Sequence, residues 1–347
     1  MRLRGRGAKT PSMSLEGVLG PNNRLEEASG VRVDAPEALC VGADGRLLFS
    51  SGRSVLSLEK WGDAPQRHAA FDRPVTALCS SPGGLVAVGT LGGGLHVLGG
   101  SGSRLGGWKL PDDITSVADM MFVAGDDLVI ADPGYGAEEP LLSVATWDDV
   151  ARGRLLAVGR SGAPRLLATG LRCPMGVAQD ARGEVIVTEF GGARIVDVAG
   201  RPRRAGYPGY LGRLRRTGSG YVMACLSRRD PLIDFLRTER AFIDAMKSGI
   251  APQHWIAPRI SPNFSHHLPI ELGATRLFGS IKPWAPSFSY GLVIEMDEVL
   301  MPVGAAHSRA DGRRHAVSDA LVWRGDLLAV SKASGELLNL GRARDGA

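Results

Sequence analysis

Glu37 and Asp119 are acids set at the start of apolar strand-like runs, and they share a phase. Each stands seven or eight residues before a small turn residue that opens a second apolar run: Glu37 before Gly45-Arg-Leu-Leu-Phe49, Asp119 before Asp126-Asp-Leu-Val-Ile130. The same offset, applied to four further copies of that phrase, picks out Thr76, Met175, Gly212 and Ser318, with Arg213 and Asp319 one residue further on. Brought to one place, two carboxylates are costly unless a cation or a shared proton sits between them. Calcium, which takes about six to eight oxygen ligands, or another divalent cation is one occupant. Glu37, Asp119, Thr76 and Ser318 would supply a few oxygens and water the rest. Such an ion would polarise an ester carbonyl while a nearby carboxylate activates water. Met175 and Gly212 offer a hard cation nothing, so two hydrated acids with no metal are the alternative.

What must position these residues is the repeat itself. The phrase occurs at Gly45, Gly83, Asp126, Gly183, Ser219 and Gly325, in steps of 38, 43, 57, 36 and 106 residues. Most steps match one four-stranded propeller blade, about 40–50 residues. Each phrase follows one apolar run, such as Ala38-Leu-Cys-Val41, and several precede another, such as Arg194-Ile-Val-Asp-Val198. Strand, turn, strand, turn, strand is an antiparallel meander. Arranged radially it leaves only short, protected edges. The expected fold is all-β: a six-bladed β-propeller of four-stranded antiparallel blades, with the counted-back residues lining its central channel.

The long last step carries an insertion, approximately residues 228–290, expected between blades five and six. Asp230-Pro231 reads as an N-cap followed by Pro at the first helical position. Leu232, Ile233, Phe235, Leu236, Phe242, Ile243 and Met246 continue it as one helix of about five turns, ended by Gly249. Residues 251–289 read as an irregular cover, capping one channel mouth or packing against a blade. Residues 15–347 are expected to form a single domain behind an extended tail, 1–14.

Composition excludes several classes. The net charge is +5, with 41 basic and 36 acidic residues spread along the chain. The densest basic stretch, Arg201 to Arg216, reads as a solvated strand face rather than a nucleic-acid stripe. Cys40, Cys79, Cys173 and Cys225 stand far apart, with no C-x-x-C pair, so zinc and redox motifs are missing. Three of them lie in apolar runs as small core residues. No apolar segment is long enough to span a membrane and none follows the basic start, Met1 to Lys9; a cytoplasmic protein is the default. His266-His267 reads as a loop pair and Gly89–Gly94 as a hairpin turn. Glu189 is expected to accept turn hydrogen bonds with Arg194 as partner, and Tyr207, Tyr210 and Trp284 are alternative pocket walls.

Several runs together resemble the strictosidine-synthase-like family: Pro36-Glu-Ala-Leu39, Pro174-Met-Gly-Val177, Thr188-Glu-Phe-Gly-Gly-Ala-Arg-Ile195, Asp230-Pro-Leu-Ile-Asp-Phe-Leu236, Tyr290-Gly-Leu-Val-Ile-Glu-Met-Asp297 and Ser318 to Leu340. The resemblance covers most of the chain from about Leu15, and the Arg-rich composition suggests a bacterial member. It implies a six-bladed propeller related to the gluconolactonase (SMP-30) and paraoxonase-type metal-dependent hydrolases. By that resemblance Glu37 matches their first-blade metal glutamate and Asp119 a position of Asn or Asp. Met175 stands where they place a ligand Asn, and the usual Asp-Asn pair is missing around Gly212-Arg213. The acid–base glutamate of plant strictosidine synthases maps to Ser318, or with a slip to Asp319. A hydroxyl is no general acid–base near neutral pH without a base beside it.

The leading expectation is therefore a divalent-metal-assisted ester or lactone hydrolase, or a diverged relative. Its small-molecule substrate would sit in the channel, with Glu37 and Asp119 as metal ligands and Glu37, Asp119, Ser318 and Asp319 as catalytic candidates. The alternative is a non-catalytic propeller that binds a metabolite or a protein. Amine–aldehyde (Pictet–Spengler) synthesis comes last.

Overall fold

The computed structural model describes residues 12–100, 102–260 and 289–344, with the backbone of 276–277 and 280–281. Six four-stranded antiparallel sheets are arranged as the blades of a propeller. Their innermost strands are Leu39–Val41, Val75–Ser80, Asp119–Phe122, Pro174–Gln179, Gly209–Arg216 and Val317–Trp323. Each blade but the sixth is a meander from the inner strand outwards. In the sixth, the outermost strand is Ser29–Arg32 from the start of the chain, paired with Glu336–Arg342. This closure joins the start of the chain to the last blade within one sheet. It is reinforced by Leu25, fully buried with Val293, Val317 and Leu338, and by Leu39, Leu47 and Phe49 of blade one packed against Leu321, Leu328 and Val330 of blade six.

An antiparallel meander returns to the same end of the blade with every second strand. Second-to-third-strand connections therefore emerge at the mouth where the inner strands begin. The two longest connections of this kind are found there. In blade three the helix Leu141–Trp147 lies between Leu128–Asp132 and Gly153–Val158. In blade five the insertion lies between Gly220–Arg228 and Leu292–Asp297, which pair directly, Cys225 opposite Leu292. It thus interrupts blade five rather than following it: the run from Leu292 completes that blade's meander.

The expected five-turn helix is two shorter ones, Pro231–Leu236 and Arg240–Gly249. Asp230 caps the first, accepting from the Leu232 N–H at 2.8 Å. It ends because the chain tightens: Thr238 N–H donates to Phe235 O and Glu239 N–H to Leu236 O, three-residue closures that leave the α-helical path. Both helices pack with Tyr135, Trp147, Phe190 and Tyr210, and Lys247 Nζ donates to Trp147 O at 2.7 Å. The insertion thus rests on the blade-three helix, and its continuation, Pro258 to Ile260, reaches the channel mouth. Most of the expected irregular cover, with His266, His267 and Trp284, lies outside the described residues. No helix among the described residues is long and apolar enough to cross a membrane.

The Gly89–Gly94 stretch turns between strands Val86–Thr90 and Gly94–Leu98. At Gly93, with φ +81°, a Cβ would come within 1.8 Å of Ile114 O. Glu189 accepts from the Arg172 N–H at 2.8 Å and pairs with Arg194. All four cysteines are free and buried.

Candidate functional site

The channel is built from the first residues of the inner strands. Glu37 precedes Leu39–Val41, with its N–H held by Ser50 Oγ at 2.8 Å. Asp119 and Asp319 are fully buried, and each latches its blade to the next. Asp119 Oδ2 accepts from Val177 N–H at 3.0 Å, and Asp319 Oδ2 from Leu39 N–H at 2.9 Å. Glu37 and Asp119 are the counted-back residues of blades one and three, whereas Asp319 lies one residue past the counted-back Ser318 of blade six.

Two arginines of blade five fill the axis between these acids. The strand Gly209–Arg216 loses register between Leu211 and Leu214, where Gly212 and Arg213 oppose the single residue Ala224. That bulge presents Arg213 to the axis. Blade four makes room with Gly176, where a Cβ would stand 2.7–2.8 Å from the backbone of residues 212–214. Arg213 Nη1 donates to Glu37 O at 2.8 Å and Ser318 O at 3.0 Å, and Nη2 to Ala118 O at 2.8 Å and to Thr76 O. Its Nε stands 3.6 Å from Asp119 Oδ1 and 3.8 Å from Asp319 Oδ2. Two residues on, Arg215 holds both oxygens of Asp119 and one of Asp319. Burial pushes the Asp319 carboxyl up, against the pull of Arg215 and Arg213.

This corrects the reading of Arg201–Arg216 as a solvated face. Arg201 and Arg203 are surface residues paired with Asp197, Asp180 and Glu184. Arg213 is only 4% exposed and Arg215 15%.

Above Arg213 the mouth opens into a cavity of about 560 Å3. Its walls are apolar, among them Leu91, Leu141, Leu142, Met175, Leu226 and the Tyr135 ring. Its floor carries Glu37, Arg213 and Lys332. Lys332 follows strand Asp326–Ser331 and pairs with Glu37 Oε2, while Glu37 Oε1 lies 3.5 Å from Arg213 Nη1. Burial pushes the Glu37 carboxyl up, but Lys332 and Arg213 together outweigh it and hold the group below its ordinary range. Glu37 is therefore an anion at neutral pH.

The other predicted residues fall into place around this floor. Thr76 lines the cavity, and its Oγ1 is buried with no hydrogen-bond partner among the described residues. Ser318 donates its hydroxyl to Glu37 O at 2.8 Å, so it serves the blade closure. Gly212 contributes a carbonyl to Thr188 Oγ1 at 2.7 Å. Tyr207 donates to Leu300 O, and Tyr210 stacks on Phe190, so the aromatic wall is Tyr135 instead. Lys332 and Arg215 were not among the expected site residues.

Calcium or another divalent ion fits this arrangement poorly. Asp119, the deepest candidate ligand, already accepts from two Arg215 nitrogens and a backbone N–H, and two guanidinium groups occupy the space beside it. Among the described residues no group of three or more His, Cys, Asp and Glu side chains is arranged for a metal. A smaller cavity of about 320 Å3 opens at the opposite mouth, lined by Cys40, Cys79, Met120, Met121 and Arg216.

Comparison of the sequence with protein-family models and with curated proteins gives no match. Solved structures do share the fold. A gluconolactonase from Xanthomonas campestris aligns with a TM-score of 0.54 at 10% identity, over 96% of this chain and 95% of its own. A calcium-binding regucalcin from Agrobacterium tumefaciens aligns with a TM-score of 0.53 at 11% identity, over 91% and 94%. An aldose sugar dehydrogenase from Streptomyces coelicolor, solved with PQQ, gives 0.54 at 10% identity, over 90% and 96%. At such identities the likeness is one of fold alone: this chain shares the six-bladed propeller architecture with these proteins.

Proposed function

We propose that this propeller binds a small, uncharged carbonyl compound of the lactone or ester class at the cavity-bearing mouth, without a metal. One observation carries the reading: an apolar cavity stands on a polar floor whose charges cancel. Glu37, Asp119 and Asp319 are balanced by Arg213, Arg215 and Lys332. At the rim, Glu139 and Arg259 add one charge of each sign. A ligand with a full charge would leave that balance uncompensated in a low-dielectric site. The carbonyl of a neutral, hydroxyl-bearing lactone or ester can accept from Lys332 and its hydroxyl donate to Glu37 while its body covers the walls, the usual division of labour in a ligand pocket.

A second reading is hydrolysis of the same ligand, with Glu37 activating water and Lys332 polarising the carbonyl. The likeness to proteins described as gluconolactonases favours it. The strong pairing of Glu37 opposes it, because a carboxylate held below its ordinary range is a weak base.

Thermal-shift and calorimetric titration of a panel of neutral lactones and esters, with turnover followed in parallel, tests both. Binding without turnover, weakened about tenfold in Glu37→Gln and Lys332→Met, is the expected result. Chelator-resistant turnover lost in Glu37→Gln would establish the second reading. Ligands that bind the two variants as tightly as wild type would defeat both.

A further inference from the structure

We infer that Arg213, steadied by Arg215, is a tethered cation standing in place of a channel metal ion in this propeller. The evidence is the oxygen cage around one guanidinium. Arg213 is met by the carbonyls of Glu37, Thr76, Ala118 and Ser318, and by carboxylate oxygens of Glu37, Asp119 and Asp319 within 3.8 Å. These oxygens come from blades one, two, three and six, while the arginine comes from blade five. A hard cation on a propeller axis would be surrounded in the same way, by about six to eight oxygens drawn from several blades. Here N–H bonds from a planar fork replace coordination bonds, a task suited to arginine and not to the compact lysine ammonium.

The charges agree. Counted with every carboxylate ionised, the cluster of Glu37, Asp119, Asp319 and Lys332 without the two arginines carries three negative charges and one positive, a net of −2 that one divalent ion would cancel. With both arginines present the sum is zero, and an added ion would bring two uncompensated positive charges into a buried site. The axis of this protein is accordingly held together without a metal, and the acid cluster is a latent divalent-cation site exposed only when the arginines are removed. This inference is independent of the ligand at the mouth.

Calcium titration by calorimetry, with melting temperatures in chelator and in millimolar calcium, tests it on the full-length wild type, Arg213→Met and Arg213→Met/Arg215→Met. The wild type should show no axial ion and a melting temperature indifferent to chelator and calcium. The double variant should melt lower in chelator, regain part of the loss in calcium, and bind one ion per chain at least about tenfold more tightly than wild type, an effect abolished by adding Asp119→Asn. Should the double variant fail to fold in chelator, its refolding yield with calcium, magnesium or manganese present carries the same comparison, because only that variant frees both aspartates from Arg215. A wild type that loses stability in chelator, or whose bound ion disappears on Asp119→Asn, overturns the inference. So does a double variant that none of calcium, magnesium and manganese stabilises or refolds.

Discussion

Arg215 grips Asp119 through two parallel N–H···O bonds, 2.7 and 2.9 Å long, and gives a further N–H to Asp319 at 2.9 Å. Three blades are tied together by that one side chain. Both acids are fully buried, so removing the arginine strands two charges in the core. Breaking a buried pair by deleting one partner costs about 3–5 kcal/mol. Arg215→Met should lose that much in urea denaturation, and Arg215→Lys an intermediate amount, since an ammonium cannot reproduce the two-pronged grip. A methionine variant as stable as wild type would show that these pairs contribute nothing net.

A second prediction concerns pH. His307 is buried beside Tyr290, whose hydroxyl lies 3.1 Å from its Nδ1. Burial, with Arg228 nearby, lowers its pKa from 6.5 to about 4. The unfolded chain therefore takes up the proton at higher pH than the folded one. The contribution is fully present above pH 6.5 and is lost as pH falls from there to about 4. The full effect is about 3 kcal/mol. Chemical denaturation across this window should show the decline in wild type and a shallower one in His307→Gln. Parallel curves would remove His307 as the cause.

Ring closure gives a third. Leu25 reaches back to the sixth blade and is completely buried there. Leu25→Ala leaves a cavity at the seam and should cost about 2–5 kcal/mol, read as a lower denaturation midpoint with an unchanged slope. A surface-like loss below about 0.5 kcal/mol would mean that the seam does not depend on this anchor.

The thiols supply a fourth. Burial pushes Cys40 up to about 12 and Cys79, Cys173 and Cys225 upward as well. Thiolate is the reactive form. An aromatic disulfide reagent at pH 8 should titrate essentially no thiol in the native protein and all 4 in denaturant. Rapid native reaction of Cys40 or Cys79, both near the smaller cavity, would contradict their burial.

Much of this arrangement was legible in the residues. The offset from a Gly turn to the start of an inner strand is set by strand length, so counting back lands on Glu37 and Asp119 and, in blades five and six, on Gly212 and Ser318, each one residue short of the Arg213 and Asp319 that enter the ion-pair cluster. Arg215 was hidden because a run of arginines carries no sign of which members point inward; a bulge in blade five decides that. Lys332 was hidden because it meets Glu37 across the closure of the ring, nearly the whole sequence apart. The outermost strand of blade six escaped for the same reason: Ser29–Arg32 is short and exposed, and only its partner at the far end of the chain makes it a strand. The helix break at Thr238 depends on local three-residue closures that apolar periodicity does not register.

A crystal structure from calcium-containing solution tests the central claim most directly. The account predicts a planar guanidinium on the axis, hydrogen-bonded to the carbonyls of Glu37, Thr76, Ala118 and Ser318. A calcium ion there, with oxygens at about 2.3–2.6 Å and Arg213 swung aside, would contradict it.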